Sequence, residues 1–252
     1  MSYFADSLVH LTSLDLENTR RALKRQSSHQ ISILNQSGTH SEDWTAQEKL
    51  QKSFPEFHWL LNFGLHPWWA QTLKSPEEEL QKLESRLANC DGIGEIGLDY
   101  WKAQEDKQRM IQKSIFARQL EIAQEHDKPI ILHMVRSHHE GQSMLKSIGR
   151  KGFNGIIHGF HGNTHTAKFY LDLGLHISLG PHSLRDIRQD LFQYIPKDRL
   201  LIESDCPQAG RADTVLTIAQ EIARFRTGTP ESLAELSTKN LCKLYEKSPR
   251  LP

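Results

Sequence analysis

Seven side chains able to ligate a metal ion or move a proton are spread along most of the chain: Asp6, His10, His66, Glu95, His133, His158 and Asp205. Each lies in a short apolar run or close to its carboxyl end. A single histidine closing an apolar strand is more often a hydrogen-bonded edge residue than a ligand. The set reads differently, because imidazoles combined with carboxylates suit Zn, Mn or Mg ions. Glu95 sits among Ile93, Ile96 and Leu98, and a carboxylate in such surroundings is costly to desolvate unless a cation pairs with it. A metal centre would offset that cost, and the 14 histidines of the chain supply its usual ligand.

The runs that carry these residues are eight: FADSLV from Phe4, ISIL from Ile31, WLLNFGLH from Trp59, GIGEIGLD from Gly92, PIILHMV from Pro129, GIIHGF from Gly155, LHISLG from Leu175 and RLLIESD from Arg199. They are short and apolar enough to be strands buried on both faces, as in a parallel sheet. Amphipathic segments separate them. Gln104 to His126, with Met110, Ile111, Ile115, Leu120 and Ile122 among charged and amide residues, predicts an outer helix. Eight strands alternating with helices over this length predict an α/β fold, a (β/α)8 barrel, with an open doubly wound sheet as the alternative. In a barrel the carboxyl ends of the strands converge on one mouth, where active sites are built. That convergence is what would bring the seven residues together.

The chain has 252 residues, 37% hydrophobic and 25% charged, and reads as one domain over 1–252. No run reaches the roughly 18 apolar residues of a spanning helix, so a membrane protein is excluded. The opening MSYFADSLVHL has no basic segment followed by a long apolar one, which leads to the expectation of a cytoplasmic protein. Cys90, Cys206 and Cys242 lack CxxC spacing and read as reduced thiols. Thirty-one basic residues balance 31 acidic ones, which is not the field of a protein that coats duplex nucleic acid.

Three motifs carry less than they suggest. Gly92, Gly94 and Gly97 spell GxGxxG, but inside an apolar run rather than at a strand-to-helix turn, so a dinucleotide site is set aside. Ser137, His138, His139 and Glu140 are not followed by the spacing of a zinc helix and read as a solvated helix start capped by Ser137. Trp68 and Trp69 follow His66 and Pro67; they can stack a base or pack the loop.

Taken together, GLHPWW, GIGEIGLDY, KPIILHMVRSHHE, GIIHGFHGN and DRLLIESDCP, in that order, with STKNLCKLYE near the end, resemble the TatD family of metal-dependent deoxyribonucleases. The resemblance runs from Asp6 to about Tyr245. It implies a barrel of the metallo-dependent hydrolase type that binds two divalent ions, Mg, Mn or Zn, and cuts DNA phosphodiesters, acting as an exonuclease on single-stranded ends. By the same resemblance, Glu95 would bridge the ions, His10 with Asp205 would hold one, and His133 with His158 the other. Glu95 and Asp205 would be the catalytic pair, Asp205 orienting or deprotonating the attacking water. His66 and Arg136 would contact substrate phosphate, with Tyr100 beside them, and Asp99 and Glu203 would be supporting residues. The expected partner is a DNA end, met by a monomer.

Two departures from the family pattern bear on that reading. The family opens Asp-x-His-x-His, whereas this chain reads Asp6, Ser7, Leu8, Val9, His10, so one imidazole is replaced by a side chain that cannot coordinate. One ion is left with His10, Glu95 and Asp205, with Asp6 nearby, a set better suited to a water-rich Mg or Mn ion than to zinc. After the fifth strand, Val135 stands where the family has arginine, and Arg136 is displaced by one position. Two alternatives follow: a catalytically weakened barrel serving as a binding or complex subunit, and a hydrolase of small esters or phosphoesters, since a fold does not fix its substrate.

Overall fold

Each of the eight apolar runs forms a strand: β1 (Phe4–Val9), β2 (Ile31–Ser37), β3 (His58–Phe63), β4 (Gly92–Asp99), β5 (Ile130–Val135), β6 (Gly155–Ile157), β7 (His176–Leu179) and β8 (Leu200–Ile202). The computed structural model describes residues 3–149, 152–185, 188–207 and 215–246; the final SPRLP, whose sequence predicts a frayed tail, lies outside them. All neighbouring strands pair in parallel in the order β1 to β8. The sheet closes on itself: Val9 bridges Cys206, the His10 amide donates to the Cys206 carbonyl at 2.7 Å, and the Asp205 amide to that of Leu8 at 3.1 Å. The fold is a (β/α)8 barrel, and the open sheet is eliminated by that closure.

The helices are α1 (Leu16–Ser28), α2 (Ser41–Ser53), α3 (Pro67–Ala70), α4 (Pro76–Ser85), α5 (Asp106–Glu125), α6 (His138–Ile148), α7 (Thr164–Asp172), α8 (Gln189–Tyr194), α9 (Val215–Ala223) and α10 (Pro230–Leu244). One apolar layer lies between strands and helices. A second contains Ala5, Leu8, Ile33, Leu60, Ile131, Ile156 and Leu201. These come from six strands around the barrel, so they meet on its axis. Leu241, Cys242, Leu244 and Tyr245 join them, so α10 and its end plug the amino-terminal mouth. Hydrogen bonds from the Ala5 amide to Thr238 Oγ1 and from the Ile202 amide to Ser237 Oγ, both 2.8 Å, fix α10 there.

Some local readings are corrected by this packing. β2 continues through Asn35, Gln36 and Ser37, which are buried, although their polarity suggested that the strand stops at Leu34. The two amide side chains fit because each has a backbone partner: Asn35 Nδ2 donates to the Ser7 carbonyl at 2.9 Å, and Gln36 Oε1 accepts the Leu11 amide at 2.8 Å. Ser37 offers its own carbonyl to His10. In α5 the inward face is Gln112, Ile115, Phe116, Gln119, Leu120 and Ala123, while Met110 is exposed. Ser137 precedes α6 but does not cap it; its buried hydroxyl donates to the Leu98 carbonyl at 2.8 Å, tying the loop to β4. Gly97 (φ 147°) has a structural reason to be glycine, since a Cβ there would meet the His133 carbonyl oxygen at 2.0 Å. The GxGxxG run lies within β4 and packs it closely against β5.

Candidate metal centre

Glu95, in the middle of β4, is buried and faces the axis above the apolar plug. Its Oε1 lies 2.7 Å from His158 Nε2, 3.2 Å from His133 Nδ1 and 3.7 Å from His66 Nε2. Its Oε2 lies 2.6 Å from His10 Nε2, which is 3.6 Å from Asp205 Oδ1. The six residues therefore meet at the carboxyl-terminal mouth, each delivered by a different strand or the loop after it. His66, Glu95 and His133 offer ligand atoms all within 4.8 Å of one another.

What each imidazole can do follows from its second nitrogen, because a neutral ring carries one proton and one lone pair. His10 Nδ1 faces the Ser37 carbonyl at 3.1 Å, His133 Nε2 faces Asp99 Oδ2 at 3.2 Å, and His158 Nδ1 faces Glu203 Oε1 at 3.5 Å. Oxygen acceptors there draw the proton to the remote nitrogen and leave a lone pair pointing at Glu95, the arrangement of metal-ligating histidines. His66 is wired the opposite way. Its Nδ1 accepts the Trp68 amide at 3.2 Å, so in the neutral ring the proton is on Nε2, which faces the cluster as a donor. His66 is near the ligands yet suited to hold an anionic oxygen.

Electrostatics agree with a site built for a cation. Burial alone would raise the Glu95 carboxyl, but His158 and His10 outweigh it and hold Glu95 well below its ordinary range. Burial opposes charge on His10 as well, and Glu95 and Asp205 lift it to about 9 all the same. His158 is likewise pushed well above its usual value against burial, by Glu95 and Glu203. His66 is depressed well below, by burial and the neighbouring His133, which keeps it neutral. Burial raises Asp205 to about 6. Protons thus crowd onto the lone pairs that face Glu95, where a divalent ion would displace them.

The remaining candidates are placed as follows. Asp6 is not a ligand. Its Oδ1 accepts the Ser204 amide at 2.9 Å, and its Oδ2 accepts the Ser204 hydroxyl at 2.5 Å and Gln26 Nε2 at 2.9 Å, so it positions the residue before Asp205. Leu8 is fully buried in the axial apolar layer and supplies no donor. Tyr100 is half-buried under the Arg109 guanidinium, 5.0 Å from its ring. Arg136 is exposed, with φ of 54°.

Sequence reasoning missed the side chains that aim the loops. Gln119 of α5 accepts the Leu65 amide at 2.8 Å and donates to the Leu65 carbonyl at 3.2 Å, just before His66. Gln112 accepts the Asp99 amide at 2.9 Å and donates to the Pro67 carbonyl at 3.2 Å. A signal was there, since both amides occupy the helical stripe of Ile115, Phe116 and Leu120.

A parallel barrel whose mouth gathers imidazoles around one buried carboxylate defines a metal-dependent hydrolase. The chain belongs to the family of TatD-related DNases, whose family model matches residues 5–246. It is 30% identical over 196 residues to an uncharacterized metal-dependent hydrolase of Bacillus subtilis, covering 72% of this chain and 75% of that one. It is 26% identical over 260 residues to the 3'-5' ssDNA/RNA exonuclease TatD of a Rahnella strain, covering 96% and 98%. Among solved structures, a TatD homologue of Escherichia coli superposes with a TM-score of 0.84 at 22% identity, over 97% of this chain and 98% of that one. No helix among the described residues is long and apolar enough to cross a membrane.

Proposed function

We propose that this protein is a metal-dependent phosphodiesterase that trims single-stranded DNA from an end. The observation that carries the reading is the opposed wiring of the imidazoles: three offer lone pairs to the metal side of Glu95, and His66 offers a proton toward the same space. An ester without a charged oxygen gives that donor less to hold than a phosphodiester does. The full-length likeness to a 3'-5' ssDNA/RNA exonuclease supports the same substrate class.

Glu95, His133 and His158 would hold one ion; His10, Glu95 and Asp205 would hold a second, more weakly because Leu8 contributes nothing. Bound divalent ions supply Lewis acidity at the phosphoryl group. His66 Nε2 donates to a phosphate oxygen and fixes the scissile group. Asp205, 3.6 Å from His10 at the mouth, would accept the proton of the attacking water as general base. Glu203 Oε1, which accepts the Gly159 amide at 2.7 Å and faces His158, keeps that ring in the ligating tautomer.

The test is digestion of end-labelled single-stranded DNA and RNA with Mn or Mg, beside a Glu95→Ala protein. Metal-dependent shortening from one end, absent in Glu95→Ala, is expected. Undiminished turnover in Glu95→Ala would refute the assignment.

A further inference from the structure

We propose that Trp68, Trp101 and Lys102 form a platform on which an unpaired base of the substrate strand stacks, beside the metal centre. This rests on the phosphodiesterase reading above and deepens it to a nucleotide subsite. Trp68 is 37% exposed and Trp101 52%. Lys102 Nζ lies 5.0 Å from the ring centroids of both. Two wet indoles gripping one cation thus stand at the rim of a site for phosphodiesters. A nucleotide complements both features, with a π face for the indole and an anionic phosphate for the ammonium group. An acyl or alkyl substrate offers neither.

The platform is fixed to the reactive cluster through one carboxylate. Asp99 Oδ2 accepts Trp68 Nε1–H at 2.5 Å and faces His133 Nε2 at 3.2 Å. Asp99 Oδ1 accepts the backbone amides of Trp101 and Lys102, both at 2.9 Å. The same side chain that sets the tautomer of His133 therefore sets both halves of the platform. The Trp68 ring is 4.9 Å from that of His66 and 6.0 Å from that of His133, centroid to centroid. A base on this platform therefore belongs to a nucleotide close to the cleaved bond. Stacking of this kind tolerates any base but requires a free face, so the platform selects single strands without reading sequence.

The experiment measures binding of the metal-loaded protein to a short oligothymidylate with cleavage-resistant phosphorothioate linkages. A second probe has the same backbone with abasic spacers at the end that is trimmed. The base-bearing strand is expected to bind about 5- to 150-fold more tightly. Trp101→Ala, a change at an exposed site, should erase that preference. Trp69→Ala, whose ring packs on His40 at 4.7 Å, should keep it. Equal affinity of the natural protein for both probes, or an unchanged preference in Trp101→Ala, would overturn the platform and leave the phosphodiesterase reading standing. Binding of neither probe would overturn both.

Discussion

Leu8 decides how many ions the centre keeps. The strand that carries it bulges, with its pairing to β2 shifting between Asp6 and Val9, and the Leu8 side chain joins the axial apolar layer. On that side only His10, Glu95 and Asp205 remain as donors, whereas Glu95, His133 and His158 are complete on the other. The natural protein is therefore expected to keep one equivalent of Mn through dialysis and to take a second only from excess. Leu8→His should keep two, and should lower the stability of the metal-free protein by about 1–3 kcal/mol, because a polar ring enters an apolar layer without a partner. Metal analysis and denaturant melts in chelator check both halves. Equal stoichiometry in the two proteins would mean that Leu8 costs the site nothing. At this scale the sequence was most legible for residue types and least for wiring. Nothing in the order of residues announces that His133 turns its lone pair to the site, because Asp99, which imposes that tautomer, comes from the neighbouring strand; the Trp68 amide that fixes His66 lies only two residues on, but residue types alone do not reveal the contact.

Elements transmit precision to these side chains. α5 was readable as an outer helix, and its observed bounds lie within two residues of the expected ones. Its buried amides were not weighed, because a glutamine among charged residues reads as solvated until the helical stripe shows that it faces inward. Gln119 exchanges two hydrogen bonds with the Leu65 backbone, and with them holds the turn into His66. Gln119→Leu leaves that buried amide and carbonyl without partners, so a loss of about 1–3 kcal/mol is expected, together with a lower kcat as His66 drifts from its position. Tyr245→Phe is the contrasting case. Its hydroxyl donates to Asn62 Oδ1 at 2.7 Å in the plug at the opposite mouth; its removal should cost about 1 kcal/mol of stability and leave kcat untouched. Activity lost equally in both variants, at matched stability, would show that α5 does not position the site. The barrel's strands were legible because apolar runs buried on both faces survive in the sequence as runs. The polar end of β2 was not, since Asn35 and Gln36 are tolerated in the barrel wall through partners distant in sequence, among them the Ser7 carbonyl, the Leu11 amide and Asn62.

For the whole molecule, the clustered charges at the mouth make folding answer to pH and to metal together. In the metal-free protein His10 is raised to about 9, and His133 and His158 are raised as well. Folding therefore takes up protons between the unfolded value of about 6.5 and the folded ones. The stability these groups contribute is complete below about pH 6.5 and is lost as pH rises through about 9, by about 3 kcal/mol for His10 alone. The groups shifted downward act elsewhere. His66 and Glu95 lose their contributions only as pH falls, and burial holds His138 and His176 to about 4, so they too matter below about 6.5. A divalent ion takes the lone pairs from the protons, so saturating Mn should remove the decline between pH 6.5 and 9 and raise Tm most at the alkaline end, where the fewest protons have to be displaced. Urea melts across that range, in chelator and in Mn, measure this directly. A metal-free protein whose stability stays flat from pH 6.5 to 9 would mean that the three imidazoles are not clustered on Glu95 in solution. A decline that persists unchanged in saturating Mn would mean that the ion binds elsewhere.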